Sequence, residues 1–322
     1  MNILITGGLG ILGNDLVKSL SKNHTLYLLD RFSHRNRKKI YLFNLSNKKF
    51  NLINGSFNSF KCIYDILKKK KIDVIFHLGA ITQVIDAYKS PIKTFKTNIL
   101  GTINIFEAVR LINKKIIIIY SSSDKAYGTL LGKSYKESHG LKGKFPYDVS
   151  KSASDLVAQS YSNTYALKVG IIRSGNIFGP GDLNLDRLVP GIIVNSINNK
   201  KTIIRSSGKL IRDYIYVKDV SRAYVLLMNK MLKSSEKLHI YNIGSKFNLS
   251  SIVLIKKILK LLNKIYLNPI IKNNSTIEIK KQKLDYSKAR NQLGWYPKTN
   301  LNKGLLETVK WYKKNIDYFN HK

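Results

Sequence analysis

Tyr147 and Lys151 stand four residues apart in the run Tyr147-Asp148-Val149-Ser150-Lys151. On a helix that spacing puts both side chains on one face. An ammonium beside a phenol lowers the phenol's pKa, so the phenolate can take a hydroxyl proton during hydride transfer. The spacing alone carries little weight in a chain with 19 tyrosines and 56 lysines and arginines. It recurs at Tyr64 with Lys68 and at Tyr214 with Lys218. What separates Tyr147 is its setting. Ser121-Ser122-Ser123-Asp124-Lys125 follows the aliphatic run at residues 116–119. That places the serines at the carboxyl edge of an expected strand, where ligands bind in open parallel sheets. Ser123 can then hydrogen-bond the hydroxyl that Tyr147 deprotonates. The plainer reading of Ser121–Ser123 is a solvated polar turn.

A second group has a matching address. Thr6-Gly7-Gly8-Leu9-Gly10-Ile11-Leu12-Gly13 follows the first apolar run and opens the first amphipathic stretch. Gly7, Gly10 and Gly13 form G-x-x-G-x-x-G. A turn without Cβ atoms brings backbone N–H groups, here those around Ile11 and Leu12, and a helix N-terminus up to a pyrophosphate. Asp30 ends the second apolar run, where a carboxylate can bond the adenosine ribose hydroxyls. The alternative is a tight strand–helix turn with no ligand. Asp30 favours NAD over NADP because a 2′-phosphate would meet its charge, whereas the adjacent Arg31 could accommodate that phosphate. NAD is the expected cofactor.

These groups need a scaffold that carries them to one edge. Short aliphatic runs at residues 2–6, 25–30, 50–54, 73–78, 115–121 and 169–174 read as strands. Helical patterns lie between them at residues 11–21, 59–70, 91–111 and 146–166. That alternation predicts an α/β fold, a Rossmann-type doubly wound parallel sheet. The run at 116–119 has no polar alternation, as expected for a strand buried on both faces. After Gly175 the texture changes. Gly175, Gly179, Pro180 and Gly181 mark a loop, later strands at 202–205 and 239–242 stand apart, and helices are expected at 250–263 and 302–318. We expect a dinucleotide-binding domain over residues 1–175 and a smaller C-terminal α/β substrate domain over 176–322, with interleaved segments.

Composition narrows the classes. The chain has 322 residues, 43% of them hydrophobic, so a large core can be buried. One cysteine, Cys62, rules out an internal disulfide and suits a reducing cytoplasm. No signal peptide or membrane span is read, the longest aliphatic run being far too short. The six histidines are scattered without metal-ligand spacing, so no metal is expected. His77 ends a strand, where packing is the expected role. The formal charge of +37, with basic runs at 35–39 and 68–71, raises a rival reading as a nucleic-acid binder. Against it, the basic residues are spread along the chain among many Asn and Ile, and no nucleic-acid module is recognisable. No specific nucleic-acid partner is expected.

Taken with Arg173-Ser174-Gly175-Asn176-Ile177-Phe178-Gly179-Pro180-Gly181 and Arg212-Asp213-Tyr214-Ile215-Tyr216-Val217, these motifs resemble extended short-chain dehydrogenase/reductases. More narrowly, they are similar to the nucleotide-sugar epimerase/dehydratase group. His77-Leu78-Gly79-Ala80, Thr97-Asn98-Ile99-Leu100-Gly101-Thr102 and Ala289-Arg290-Asn291-Gln292-Leu293-Gly294-Trp295 also match, in order and over nearly the whole chain. The resemblance implies bound NAD, a nucleotide-diphosphate hexose substrate and a homodimer. It adds Ala80 and Asn98 on the cofactor side and Asn176, Arg187 and Arg212 on the substrate side. Gly55-Ser56 departs from a frequent Gly-Asp, and Gly79 from a common Ala.

Within that group, Asp124-Lys125 is similar to the pair in CDP-glucose 4,6-dehydratases. Oxidation at C4 acidifies the C5 proton, a base removes it and an acid protonates the departing C6 hydroxyl. The resemblance assigns Asp124 as acid and Lys125 as base, which requires a protonated Asp124 and a neutral Lys125. The expected function is an NAD-dependent nucleotide-sugar 4,6-dehydratase. The alternative is a 4-epimerase in which Asp124-Lys125 is only a solvated turn.

Overall fold

The computed structural model describes residues 1–31, 34–129, 134–273 and 279–320, without the side chains of residues 34–37. The side chains of residues 35–37, part of the basic run at 35–39, and the whole of His321 therefore lie outside what is described. Six strands come first: β1 (Asn2–Thr6), β2 (Thr25–Asp30), β3 (Asn51–Asn54), β4 (Val74–His77), β5 (Ile117–Ser123) and β6 (Lys168–Ser174). Six shorter or later ones follow: β7 (Asn176–Phe178), β8 (Ile203–Ile204), β9 (Ile211–Tyr216), β10 (Leu238–Ile243), β11 (Asn248–Ser250) and β12 (Ile270–Ile271). The helices of the first part are α1 (Ile11–Leu20), α2 (His34–Leu42), α3 (Phe60–Lys69), α4 (Val84–Lys89), α5 (Pro91–Phe95), α6 (Gly101–Ile112) and α7 (Pro146–Tyr165). Those of the second are α8 (Leu188–Ile197), α9 (Val217–Lys233), α10 (Ser251–Leu261), α11 (Ser287–Leu293) and α12 (Leu301–Lys314).

β1–β6 and β10 form one parallel sheet in the order β10-β6-β5-β4-β1-β2-β3. Alternate residues of each strand face opposite layers. Ile3, Ile5, Ile117 and Ile119 pack with Leu16 of α1 and Leu227 of α9, while Leu4, Ile118 and Tyr120 pack with Ile66 of α3 and Phe106 of α6. Both faces are covered, which is why these strands read as unbroken apolar runs. The chain's progression across the sheet reverses between β1 and β4, so their carboxyl ends mark the switch point where a crevice opens.

Three expectations from sequence change here. β5 runs on to Ser123, because Ser121, Ser122 and Ser123 keep pairing with Ile172, Arg173 and Ser174. The helix expected at 91–111 is interrupted by a π-turn at Lys96–Leu100. β10, read as standing apart, returns to the main sheet, with Ile240 opposite Ile171. Residues 1–175 thus hold six of the seven strands, and the last comes from far along the chain. β9 pairs parallel with β7 and antiparallel with β11 in a separate three-stranded sheet. α8, α10 and α12 add Ile192, Ile258 and Leu305 to the core shared with α1 and α9. Among the described residues, no helix is long and apolar enough to cross a membrane.

Candidate active site

A cleft of about 1110 Å³ opens at the switch point. Its wall runs from Gly7, residues 10–13 and Asp30, past Ala80, Ser123, Lys125, Tyr147 and Lys151, to Asn176, Arg187 and Arg212. Of the residues singled out from sequence, Asp124 and Asn98 are not on that wall.

At the near end, Gly7 takes a left-handed φ of 70°. A Cβ at Gly13 would lie 2.5 Å from the Gly7 carbonyl oxygen and 2.6 Å from the Gly8 backbone, so α1 can start this close to β1 only with glycine there. Gly10 is the N-cap and gives α1 no side-chain cap. The helix start therefore presents uncapped amides to the cleft, a seat for an anion. Asp30 stands at the end of β2 with its Oδ1 accepting from the Arg31 backbone N–H at 2.8 Å. An uncapped, Cβ-free helix start and a carboxylate on the same wall fit a dinucleotide.

Asn98 supports this wall from behind. Its Oδ1 accepts from the Ile81 N–H at 2.8 Å, and its Nδ2 donates to the Ile81 carbonyl at 3.0 Å and to Ser150 Oγ at 2.9 Å. Both ends of the amide are thereby used on protein, and the π-turn aims it there. The family resemblance put Asn98 at the cofactor; here it fixes the loop after β4 to α7. His77 is buried between Thr6 Oγ1 at 2.8 Å and Thr102 Oγ1 at 3.1 Å, and burial pushes its pKa down to about 3. It is a neutral packing residue. Gly79 also finds its reason: a Cβ there would meet the Phe57 ring at 2.5 Å, and one at Gly101 would meet the same ring at 2.6 Å.

In the middle of the cleft α7 starts with Pro146 in its first turn, which suits a helix opening. Tyr147 and Lys151 follow one turn apart, both buried. Ser123 ends β5 and caps the short 3₁₀ turn Asp124–Tyr127. Its Oγ donates to Asp124 Oδ1 at 3.0 Å, accepts from the Lys125 N–H at 3.2 Å and meets the Tyr147 hydroxyl. One serine thus touches both groups of interest.

The electrostatics differ from the sequence expectation at one point. Burial holds Tyr147 up at about 12, with the Ser123 bond and the Arg187 charge opposing it. Lys151, brought down to about 8 by burial, donates its Nζ to the Ser121 carbonyl at 2.8 Å. Desolvation is thus the largest influence on the phenol, and it is opposed by Ser123 and Arg187.

Behind Ser123, Asp124 is 2% exposed, and its Oδ2 has no hydrogen-bond partner. Burial raises its pKa, against the pull of Lys125, Ser123 and Arg212. Lys125 lies on the wall and donates its Nζ to Gln282 Oε1 at 3.2 Å. Two further acids were not found from sequence. Burial raises Asp148 to about 6, and Asp124 adds to that shift. Asp213, raised to about 7 by burial, accepts from the backbone N–H groups of Ser245 and Leu284 at 2.7 and 3.2 Å. No local pattern announces this cluster, because α7, β9 and the 3₁₀ turn each contribute one acid.

Under the serines, Arg173 sends Nε and Nη2 to the two oxygens of Asp155 at 2.9 and 2.8 Å. Ser122 Oγ donates to the same carboxylate at 2.6 Å. At the far end, Arg187 precedes α8 and donates to Asp182 Oδ2 at 3.1 Å and Thr82 Oγ1 at 3.0 Å, spanning the cleft. Arg212 is 5% exposed and donates to the Ile279 carbonyl at 2.6 Å. The decoy pairs do not assemble. Tyr64 and Lys68 lie on α3, away from the cleft, and Lys218 pairs with Glu307 at 3.0 Å. Among the described residues no group of three or more His, Cys, Asp or Glu is placed to hold a metal ion.

The chain is similar to known proteins over nearly its whole length. The dTDP-D-glucose 4,6-dehydratase of Dictyostelium discoideum is 29% identical, over 98% of this chain and 82% of its own length. The crystal structure of dTDP-glucose 4,6-dehydratase from Bacillus anthracis in complex with NAD superposes with a TM-score of 0.86 at 25% identity, covering 99% of this chain and 98% of that one. UDP-glucose 4-epimerase from Thermotoga maritima, solved with UDP-glucose, gives 0.85 at 26% identity over 98% and 100% of the two chains. Because the sequence profile of GDP-mannose 4,6 dehydratase matches residues 4–308, almost the full length of the fold just described, the chain belongs to that family.

Proposed function

We propose that this protein is an NAD-dependent nucleotide-sugar 4,6-dehydratase, converting an NDP-hexose to its 4-keto-6-deoxy product. The observation that carries the choice is the Asp124-Lys125 turn directly after Ser123. It sets a buried carboxyl, held toward its neutral form, beside an amine on the cleft wall. A solvated turn would have neither the burial nor the orphaned Oδ2.

Residues 10–13 and Asp30 would hold NAD, which when bound supplies the acceptor for the C4 hydride and gives that hydride back at C6. Tyr147 takes the C4 hydroxyl proton, with Ser123 aligning that hydroxyl and Lys151 providing positive charge behind the phenol. Lys125 removes the C5 proton and later returns it. Asp124, which lies behind Ser123 and is hydrogen-bonded to it, is the source of the proton on the C6 hydroxyl, which leaves as water. The proton released through Tyr147 matches the one Asp124 must regain, so water is the sole by-product. Asn176, Arg187 and Arg212 line the end of the cleft suited to a diphosphate, and guanidinium forks match its oxygens. We read the enzyme as a cytoplasmic homodimer: Cys62 is a free thiol, and Leu100, Leu111 and Leu156 are exposed apolar side chains available to a second copy.

The test is a panel of UDP-, dTDP-, CDP- and GDP-hexoses with products identified by mass and NMR. A product lighter by one water is expected. Asp124→Asn and Lys125→Met should stop water loss while still allowing C4 oxidation, leaving a 4-keto sugar with enzyme-bound NADH. If the wild type yields only an isomer of unchanged mass, the dehydratase reading fails and the chain is an epimerase.

A further inference from the structure

Residues 279–285 run along the back of the Asp124-Lys125 turn. The Gln282 N–H donates to the Ile211 carbonyl at 3.0 Å, and the Ile211 N–H donates to the Lys280 carbonyl at 3.1 Å. On the other side, the Asp285 N–H donates to the Tyr135 carbonyl at 2.9 Å. The segment is thus laced to β9 and to the stretch around Tyr135. From it the Gln282 side chain, 0% exposed, reaches Lys125 Nζ, 157 residues away in sequence.

We propose that Gln282 is a positioning residue for the elimination step, its amide oxygen holding Lys125 Nζ on the cleft wall through a bond open to both the neutral amine and the ammonium. The inference rests on the reading of Lys125 as the C5 base. Among the described residues, two acids already face this lysine, Asp124 on the turn and Asp148 on α7. Tyr147 on α7, Arg212 and Asp213 on β9, and Tyr135 beside the 279–285 segment are the other charged and titratable groups around these acids among the described residues. A third carboxylate at position 282 would hold Lys125 as an ammonium and oppose its service as a base. An amide supplies the same acceptor without charge. Its other end has a cost: Gln282 Nε2 is buried without a partner. An apolar side chain of similar size would avoid burying that N–H, so the amide is kept for its oxygen.

The experiment uses the full-length protein with CDP-glucose or dTDP-glucose, whichever turns over. It follows water loss by product mass and C4 oxidation by bound NADH across pH 6–10. Gln282→Glu should move the rising limb of the water-loss profile up by about one pH unit or more, since an opposite charge nearby favours the protonated amine. At neutral pH that is about a tenfold slower elimination, with C4 oxidation within twofold of wild type. Gln282→Met should slow water loss alone, so bound NADH accumulates; this variant adds no charge and carries the test if Gln282→Glu does not fold. An unmoved pH profile in Gln282→Glu, or oxidation and water loss falling together in both variants, overturns the proposal. Lys125→Met separates the two layers. If it eliminates water at the wild-type rate, the reading of Lys125 fails and Gln282's role with it. If it is blocked while Gln282→Glu keeps the wild-type profile, only the role of Gln282 fails.

Discussion

Replacing Arg173 by methionine would strand the Asp155 carboxylate beneath the serines of the cleft. Arg173 is 1% exposed and occupies both Asp155 oxygens, with Nη1 donating to the Tyr127 hydroxyl at 2.8 Å. Breaking one side of a buried pair costs about 3–5 kcal/mol, chiefly because the remaining charge is uncompensated. Asp155 would keep two donors, Ser122 at 2.6 Å and Gln159 at 2.7 Å, which places this case near the lower bound. An unfolding entropy of about 2.1 cal/mol/K per residue gives roughly 0.7 kcal/mol/K for 322 residues. A loss of about 3 kcal/mol should therefore lower the melting temperature by about 4 °C in scanning calorimetry. Adding Asp155→Leu removes the stranded charge and should recover at least half of that loss. A single variant melting within about 1 °C of wild type would refute the reasoning, as would a double variant less stable than Arg173→Met.

Tyr147→Phe should cut turnover by roughly 10²–10⁴-fold while nucleotide-sugar affinity, read by calorimetric titration, stays near wild type. Asp148 bears on pH. Its folded pKa of about 6 lies above the ordinary carboxylate value, so the native state retains a proton that the unfolded chain has released. Its contribution is complete below about pH 4 and is lost as pH rises through about 6, with a slope of at most about 1.4 kcal/mol per unit. Asp148→Asn should flatten that part of the urea-unfolding stability profile, and an unchanged slope would exclude Asp148 as its source.

Much of this was written locally in the chain. The run at 116–119 reads as a strand buried on both sides because both layers of helices cover it, and the glycines at 7, 10 and 13 read as a cradle because each spacing answers a backbone approach. Ser123, Tyr147 and Lys151 were found because strand end and helix start are sequence-adjacent features. What escaped is non-local. No glycine or proline lies within the π-turn at 96–100, whose Asn98 amide is held by Ile81. β10 has the composition of any short strand, and only packing against β6 returns it to the main sheet. Gln282 and Asp213 meet the 3₁₀ turn from elements far along the chain, so no spacing could announce them. The burial of Tyr147, the largest influence on its pKa, is likewise invisible in the spacing to Lys151.

The Phe57 ring, wedged over Gly79 and Gly101, ties what those two positions can hold to its own size. A methyl group at either glycine would lie 2.5 or 2.6 Å from the ring, far inside van der Waals contact, so the ring would have to shift to admit it. A smaller residue at position 57 would open the space for a methyl at 79, whereas at 101 Asn58 Oδ1 would still stand 2.7 Å away. The ring also packs edge-on against His77, with centroids 5.2 Å apart, so its loss loosens the neutral histidine between Thr6 and Thr102. Alanine at position 79 therefore needs Phe57 to move or shrink, and a smaller residue at 57 alone leaves a void beside β4. The two positions are coupled by contact, so Gly79→Ala should cost less stability once residue 57 is smaller.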